Sequence, residues 1–261
     1  RKLTDSGETA PALRRSEAIA LSNLALTLLA LGDTAEALAT AQRAGAIMED
    51  LTAIEPDNAM WQRDLSVNHN RIAEALEAAG RRDEALAQYR RGLAVAAKLA
   101  AAVPSNTLLQ DDLSVSHGRI GQLLAIAGQR EGALVEYRQS LAIIERLAAA
   151  DSANTHWQRG MSVIHGHIGN LLRAMERPDE ALKQYRRGHA IAETLAASDP
   201  GNTQWQHDLS VSYSRMGRLL EAMGRRDDAL ATYRRGLAVH EKLAATDVSN
   251  FEWQHGLSTV H

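Results

Sequence analysis

The chain repeats itself every 48 residues, and no other feature constrains its fold as much. Trp61, Trp157, Trp205 and Trp253 share one register: 157 to 205 and 205 to 253 are each 48, and 61 to 157 is twice 48, with Leu109 in the intervening slot. A chain made of one recurring unit forms a stack in which each unit buries its apolar face against its neighbours. Four full units run 61–108, 109–156, 157–204 and 205–252, and a more divergent unit, 13–60, keeps register without a gap. Gly32 of that unit aligns with Gly80, Gly128 and Gly224, and Pro56-Asp57-Asn58 aligns with Pro104-Ser105-Asn106.

Each unit reads as two helices. The first begins after Asn106, Asn154, Asn202 or Asn250, whose side chains suit an N-cap. Leu65, Ile72 and Leu76, and then Leu113, Ile120 and Leu124, keep helical apolar spacing. Gly80, Gly128 and Gly224 end it, because the left-handed residue that closes a helix is strain-free only for Gly. Glu176 holds that place in the third unit, with Pro178 two residues on, so that turn is expected to differ slightly. The second helix starts near Asp83, Glu131, Asp179 or Asp227, acids that suit a positive helix end, and stops before Pro104 or Pro200. A helix of this size spans roughly 30 Å.

The two ends continue the pattern. Arg1-Lys2-Leu3 lies five whole periods before Glu241-Lys242-Leu243, so residues 1–12 match the tail of a preceding second helix. Residues 253–261 match the start of a further first helix. Neither end carries the polar cap a solenoid needs, so the expectation is a segment of a longer array, with end-to-end self-association as one use of its stacking faces.

The 261 residues, 45% of them hydrophobic, supply ample apolar surface for a core. There is no cysteine, which removes disulfides, thiolate chemistry and Cys-type zinc sites. The net charge of −3 exerts no global pull on nucleic acid or anionic lipid. No stretch approaches 18 uncharged apolar residues, so no membrane span is expected, and a reducing, cytoplasmic setting fits the composition.

A small residue (Ala73, Gly121, Gly169, Gly217) follows Ile72, Ile120, Ile168 or Met216, and Leu76, Leu124, Leu172 or Leu220 comes three later. After the turn come Ala85, Ala133, Ala181 and Ala229, each followed four residues on by Tyr89, Tyr137, Tyr185 or Tyr233. This pattern resembles the tetratricopeptide (TPR) repeat over nearly the whole chain. The resemblance implies an all-α, right-handed α-solenoid of antiparallel helix pairs that binds a partner's peptide along its concave side. The usual unit has 34 residues; about two further turns on each helix account for the difference. The first-helix aromatic slot of the family holds His69, His117, His165 and Tyr213 here. Long-unit arrays of this kind are similar to those beside effector domains in large bacterial proteins, which makes a sensor or autoinhibitory arm a further expectation.

The candidate chemistry points away from an enzyme, a metal or a cofactor. His69, His117, His165 and His261 occupy one slot on successive layers. Neighbouring helix axes are about 8–10 Å apart and zinc–nitrogen bonds about 2 Å, so these side chains cannot share an ion. His165 and His167, two apart, do not share a helix face. These histidines are expected to pack or hydrogen-bond between helices. Leu109 in the tryptophan slot argues that the tryptophans pack against the preceding second helix, near Leu99, Leu147, Leu195 and Leu243, rather than grip a ligand. The doublets Arg90-Arg91, Arg186-Arg187 and Arg234-Arg235 suggest a phosphate ladder, but Glu84, Glu136, Asp228, Glu145, Glu193 and Glu241 lie near them, so an internally paired, solvated face is expected and no nucleic acid. Ser66, Ser114, Ser162, Ser210 and Ser258 recur as scaffold positions do, and no phosphate loop or H-E-x-x-H is present.

Comparison among units then locates a binding surface. Slots fixed in every unit serve the stack, and slots that change chemistry are free to serve a ligand. The contrast is sharpest at Asn70, Gly118, Gly166 and Ser214; at Glu74, Gln122, Asn170 and Arg218; and at Glu77, Ala125, Arg173 and Glu221. The spacing of 70, 74 and 77 places them on one helix face, opposite Ile72 and Leu76. Position by position, these twelve residues match the family's groove lining. The expectation is a scaffold that docks a protein segment of unidentified sequence along this stripe.

Overall fold

The computed structural model describes residues 11–246. Trp253, Ser258, His261 and the cap at Asn250 lie outside the described residues, as do the start expected over 253–261 and most of the tail expected over 1–12. Among the described residues ten helices follow one another: α1 (Pro11–Ala30), α2 (Thr34–Ile54), α3 (Ala59–Ala78), α4 (Arg82–Ala102), α5 (Thr107–Ile126), α6 (Arg130–Ala150), α7 (Thr155–Ala174), α8 (Pro178–Ser198), α9 (Thr203–Ala222) and α10 (Arg226–Thr246). Each helix begins 48 residues after its equivalent, so the sequence period is also the structural period. No described helix is long and apolar enough to cross a membrane.

The local signals act as the residues dictate. Asn58, Asn154 and Asn202 accept the backbone N–H of Trp61, Trp157 and Trp205, and Asn106 accepts that of Leu109. The cap and the residue in the tryptophan slot therefore fix each other, one turn into each first helix. Gly32, Gly80, Gly128 and Gly224 all have φ between 74° and 84°. The third unit departs from expectation. Glu176 adopts the same left-handed conformation (φ 59°), and Arg177 N–H reaches Leu172 O at 2.9 Å as Arg81 N–H reaches Leu76 O at 2.8 Å. The turn keeps its path, because the closing hydrogen bonds outweigh the cost of about 1–2 kcal/mol for a non-glycine residue there. Pro178 takes the first position of α8, where its missing N–H costs nothing.

The chain divides into two compact units, the division falling within α5 after Leu123. In the first, α1 packs on α2 and α3 on α4, while α3 also lies against α2 and α1. In the second, α7 packs on α8 and α9 on α10, with α6 against α7, α8 against α9 and α7 against α9. Both are stacks of helix pairs, the α-solenoid class. Trp61 sits among Met48 and Leu51 of α2. Leu109 meets Leu99 and Ala100 of α4, which shows that this slot asks for apolar bulk. Trp157 is buried, and Trp205 is half-buried.

Within a pair, the register is set by polar bonds. Ser66 Oγ donates to Gly92 O and Ser162 Oγ to Gly188 O, each at 2.8 Å. A Cβ at Gly92 would lie 3.1 Å from Ser66 O, so the recurring glycine is what lets the two backbones approach. His69 Nδ1 meets Gln88 Oε1 at 2.9 Å and His165 Nδ1 meets Gln184 Oε1 at 2.7 Å. Both imidazoles are buried, and burial holds them below their usual pKa. Consecutive first helices are tied by ion pairs 49 residues apart: Arg15–Asp64, Arg63–Asp112 and Arg159–Asp208. Each is partly exposed and worth at most about 1 kcal/mol.

Candidate partner-binding grooves

Ile72 packs above Gly45 of α2, and the variable stripe is expected on the side opposite. The opposite side is not open solvent, however, because it carries the second helix of the same pair. Asn70 is half-buried beside Gly92, and its Oδ1 is buried without a partner. Glu77 accepts the Tyr89 hydroxyl at 3.1 Å, and Glu221 accepts that of Tyr233 at 3.0 Å. Asn170 accepts the Tyr185 hydroxyl at 2.7 Å. Glu74 is bound by Arg71 at 2.8 Å and Arg119 at 3.0 Å. Gly166 is buried, while Gly118, Gln122 and Ala125 are half-buried. Arg173, Ser214 and Arg218 are exposed. The stripe thus mixes groups that hold the helix pair together with groups open to a ligand.

Open space occurs on the stripe itself, in a cavity of about 660 Å³ lined by Ser214, Arg218 and Glu221 against Leu230, Tyr233 and Leu237 of α10, and again one step round the helix. A cavity of about 180 Å³ between α1 and α3 is lined by Arg63, Asp64, Val67, Asn68 and Arg71, facing Ala18, Ile19 and Ser22. A cavity of about 310 Å³ between α7 and α9 is lined by His207, Asp208, Val211, Ser212 and Arg215, facing Ser162, Val163 and Gly166. These are the same slots three periods apart. Each unit of the chain thus holds an equivalent groove between consecutive first helices, with a valine on its floor and a basic side chain one turn further on. Val67, Val115, Val163 and Val211 are identical yet incompletely covered, Val115 being 46% exposed. The basic slot reads Arg71, Arg119, His167 and Arg215.

This slot reaches back to the preceding repeat. Arg119 contacts Glu74. His167 stacks on Tyr137, centroids 5.2 Å apart and rings 5° from parallel. Arg215 lies over Gly166, where an added Cβ would collide with its guanidinium, Cζ being 3.2 Å away. Sequence comparison passed over these residues because they vary little between units and so resemble scaffold. The available signal was a fixed valine paired with a recurring cation, a combination a buried core does not need.

The arginine doublets are exposed, as expected. Of the acids near them, Glu84 and Asp228 bind Arg81 and Arg225 at the helix starts. No cluster of metal-ligating side chains occurs among the described residues.

A tetratricopeptide repeat family model matches residues 212–245, from the middle of α9 to the end of α10. That one repeat matches the tetratricopeptide type. The matched span covers 34 of the 48 residues of a unit, and the N-terminal half of α9, with Trp205, falls outside it. Among solved structures, the chain is similar to a Podosopora anserina putative kinesin light chain with nearly identical TPR-like repeats: 19% identity, 93% of this chain and 100% of that one, TM-score 0.64. It is similar to BtubC from P. vanneervenii at 18% identity, covering 90% and 93%, with a TM-score of 0.61. RapI in its apo form aligns over 95% of this chain and 63% of its own, at 12% identity and a TM-score of 0.66. No curated protein matches the chain in sequence. Identities this low establish the shared fold.

Proposed function

We propose that this tetratricopeptide-type array is a protein-interaction scaffold that docks a partner's segment in the grooves between consecutive first helices. The observation that carries this reading is the recurrence of one groove, built from the same slots, in both units of the chain. A half-covered valine offers apolar contact, and the cation one turn on offers orientation, which together are what a segment needs to hold affinity and register. In this reading the twelve variable positions, Asn70 through Glu221, supply differences between layers. Ser66 and Ser162 donate to a neighbouring backbone carbonyl, and His69 and His165 meet a glutamine, so these recurring polar side chains serve the helix pairs, and binding is the activity proposed.

The test places charge on the groove floor. Val67→Asp combined with Val211→Asp should abolish retention of partners from lysate, with an unchanged melting temperature, because both valines are already half-open to water. A variant that retains the same partners as the native protein would refute the groove reading.

A further inference from the structure

Resting on that docking reading, we infer that the groove between α1 and α3 contains an amide-reading subsite, in which Asn68 pairs with the side-chain carboxamide of a glutamine in the bound segment. Asn68 is 2% exposed, and neither its Nδ2 nor its Oδ1 has a hydrogen-bond partner among the described residues. It lines the cavity of about 180 Å³ together with Ala18, Ile19, Met48 and Val67. Behind it stands α2, where a Cβ at Gly45 would fall 2.8 Å from Asn68 Oδ1. The slot itself does not ask for polarity. Its equivalents are Ala20, Ser116, Ile164 and Ser212. Ser116 Oγ donates to Asp112 O at 3.0 Å, Ser212 Oγ donates to Leu209 O at 2.6 Å, and Ile164 is buried. Among these, Asn68 alone has both a donor and an acceptor unmet. A buried amide in that condition weakens a fold, so its presence in a slot that accepts isoleucine needs a compensating use.

The charges on this cavity are already engaged: Asp64 by Arg15 at 2.6 Å, Arg63 by Asp112, and Arg71 by Glu74 at 2.8 Å. What remains is neutral, a donor and an acceptor on one planar group. A carboxamide answers both at once, head to head, whichever way the Asn68 amide is turned. A carboxylate would leave Oδ1 unmet and an ammonium would leave Nδ2 unmet, and each would bring a charge whose counter-ions are taken. The volume of about 180 Å³ is roughly six times the share of one water in the liquid, and it falls below the about 300–1,000 Å³ of pockets that hold whole small molecules. It has the size of one side chain. Asn68 lies deep against α2, so a main chain running over Val67, with its own side chains to place, does not reach it. Glutamine, with one methylene more than asparagine, has the longer reach.

The probes are a fluorescein-labelled, C-terminally amidated decapeptide alternating Gln with Ala and its Glu counterpart, read by fluorescence anisotropy against the full chain. The Gln peptide should bind about tenfold or more tighter than the Glu peptide, and lose about tenfold or more in affinity with Asn68→Ile. Asn68→Ser, which matches Ser116 and Ser212, should lose as much, so the loss does not depend on added bulk. Asn68→Ile should also melt no lower than the native protein, a result a purely structural asparagine would not give. Equal binding of the two peptides, or full binding of the Gln peptide by either variant, overturns the subsite. A counterpart alternating Ser with Ala that binds as tightly as the Gln peptide would also overturn it, because Asn68 would then read the main chain. If Val67→Asp combined with Val211→Asp loses partners while the Gln and Glu peptides are indistinguishable, only the subsite fails. If that variant keeps its partners and neither peptide binds, the groove reading fails with it.

Discussion

Tyr89 in the first unit and Tyr185 in the second occupy the same slot of the repeat and are almost completely buried, yet their hydroxyls face opposite charges. Around Tyr89 stand Glu77 and Glu74, with Arg119 as counter-ion. Burial and the two carboxylates push that phenol far above its usual pKa. Around Tyr185 stand Asn170, Arg173, Arg215 and Arg218, and the guanidiniums oppose the upward push of burial. The helix ends, the turn and the serine–glycine bond are otherwise alike in the two pairs. A repeat scaffold can therefore hold its geometry constant while the charge around an equivalent tyrosine differs from one helix pair to the next.

The largest expected contrast between the two regions appears in acid. The first unit has one buried histidine with a lowered pKa, His69. The second has four with a lowered pKa, His165, His167, His189 and His240, and burial together with Arg215 brings His167 down to about 4. The folded state favours these imidazoles neutral, so the unfolded chain takes up protons first as the pH falls through 6.5. Stability is intact above that value and is lost progressively toward pH 4, by roughly 2 kcal/mol for His167. Hydrogen exchange at pH 7.5 and pH 5 should show α7 and α8 losing more protection than α3 and α4, and His167→Gln should narrow the gap. Equal losses in both regions would break the contrast.

A smaller effect is expected at the residue beneath the tyrosine. Gly169 lies against the Tyr185 ring, and an added Cβ would fall 3.1 Å from its Cζ and closer still to the ring edge. The first unit carries Ala73 in this slot, fully buried. Gly169→Ala should cost about 1–3 kcal/mol by forcing the ring aside, despite the better helix propensity of alanine. Thermal melting measures this directly. A neutral or stabilising outcome would mean the two tyrosine sites accommodate the slot alike.

The smallest effect has the opposite sign. Glu176 holds the left-handed turn position that Gly80 holds in the first unit. Glu176→Gly should stabilise by about 1 kcal/mol, and Gly80→Glu should destabilise by a similar amount. Paired denaturant titrations check both, and a Glu176→Gly variant no more stable than the native chain would show that the strain is already relieved.

Much of this architecture was legible in the residues alone. The 48-residue register, the asparagine caps, the glycine turns and the apolar spacing each act over fewer than six residues or repeat without interruption, so they needed no knowledge of what packs against what. The tryptophan slot was legible for a related reason, since Leu109 showed that it asks for bulk and not for an aromatic face. The candidate site was only half legible. Variation between units led to the flank at 70, 74 and 77, but Glu77 and Asn170 bind tyrosine hydroxyls on the second helix and Glu74 binds two arginines. The turn at Glu176 also held its path against expectation, because its closing hydrogen bonds act regardless of side chain.

The sequence by itself determined the period, the helix pairs and where each begins and ends, because those rest on local hydrogen bonding and on one apolar face repeated in phase. Only the tertiary structure decided which side of the first helix stays open, since that depends on where the next first helix lies. The same contact between layers set Arg215 above Gly166, binds Glu74 to Arg119, and opened equivalent grooves at Val67 and Val211.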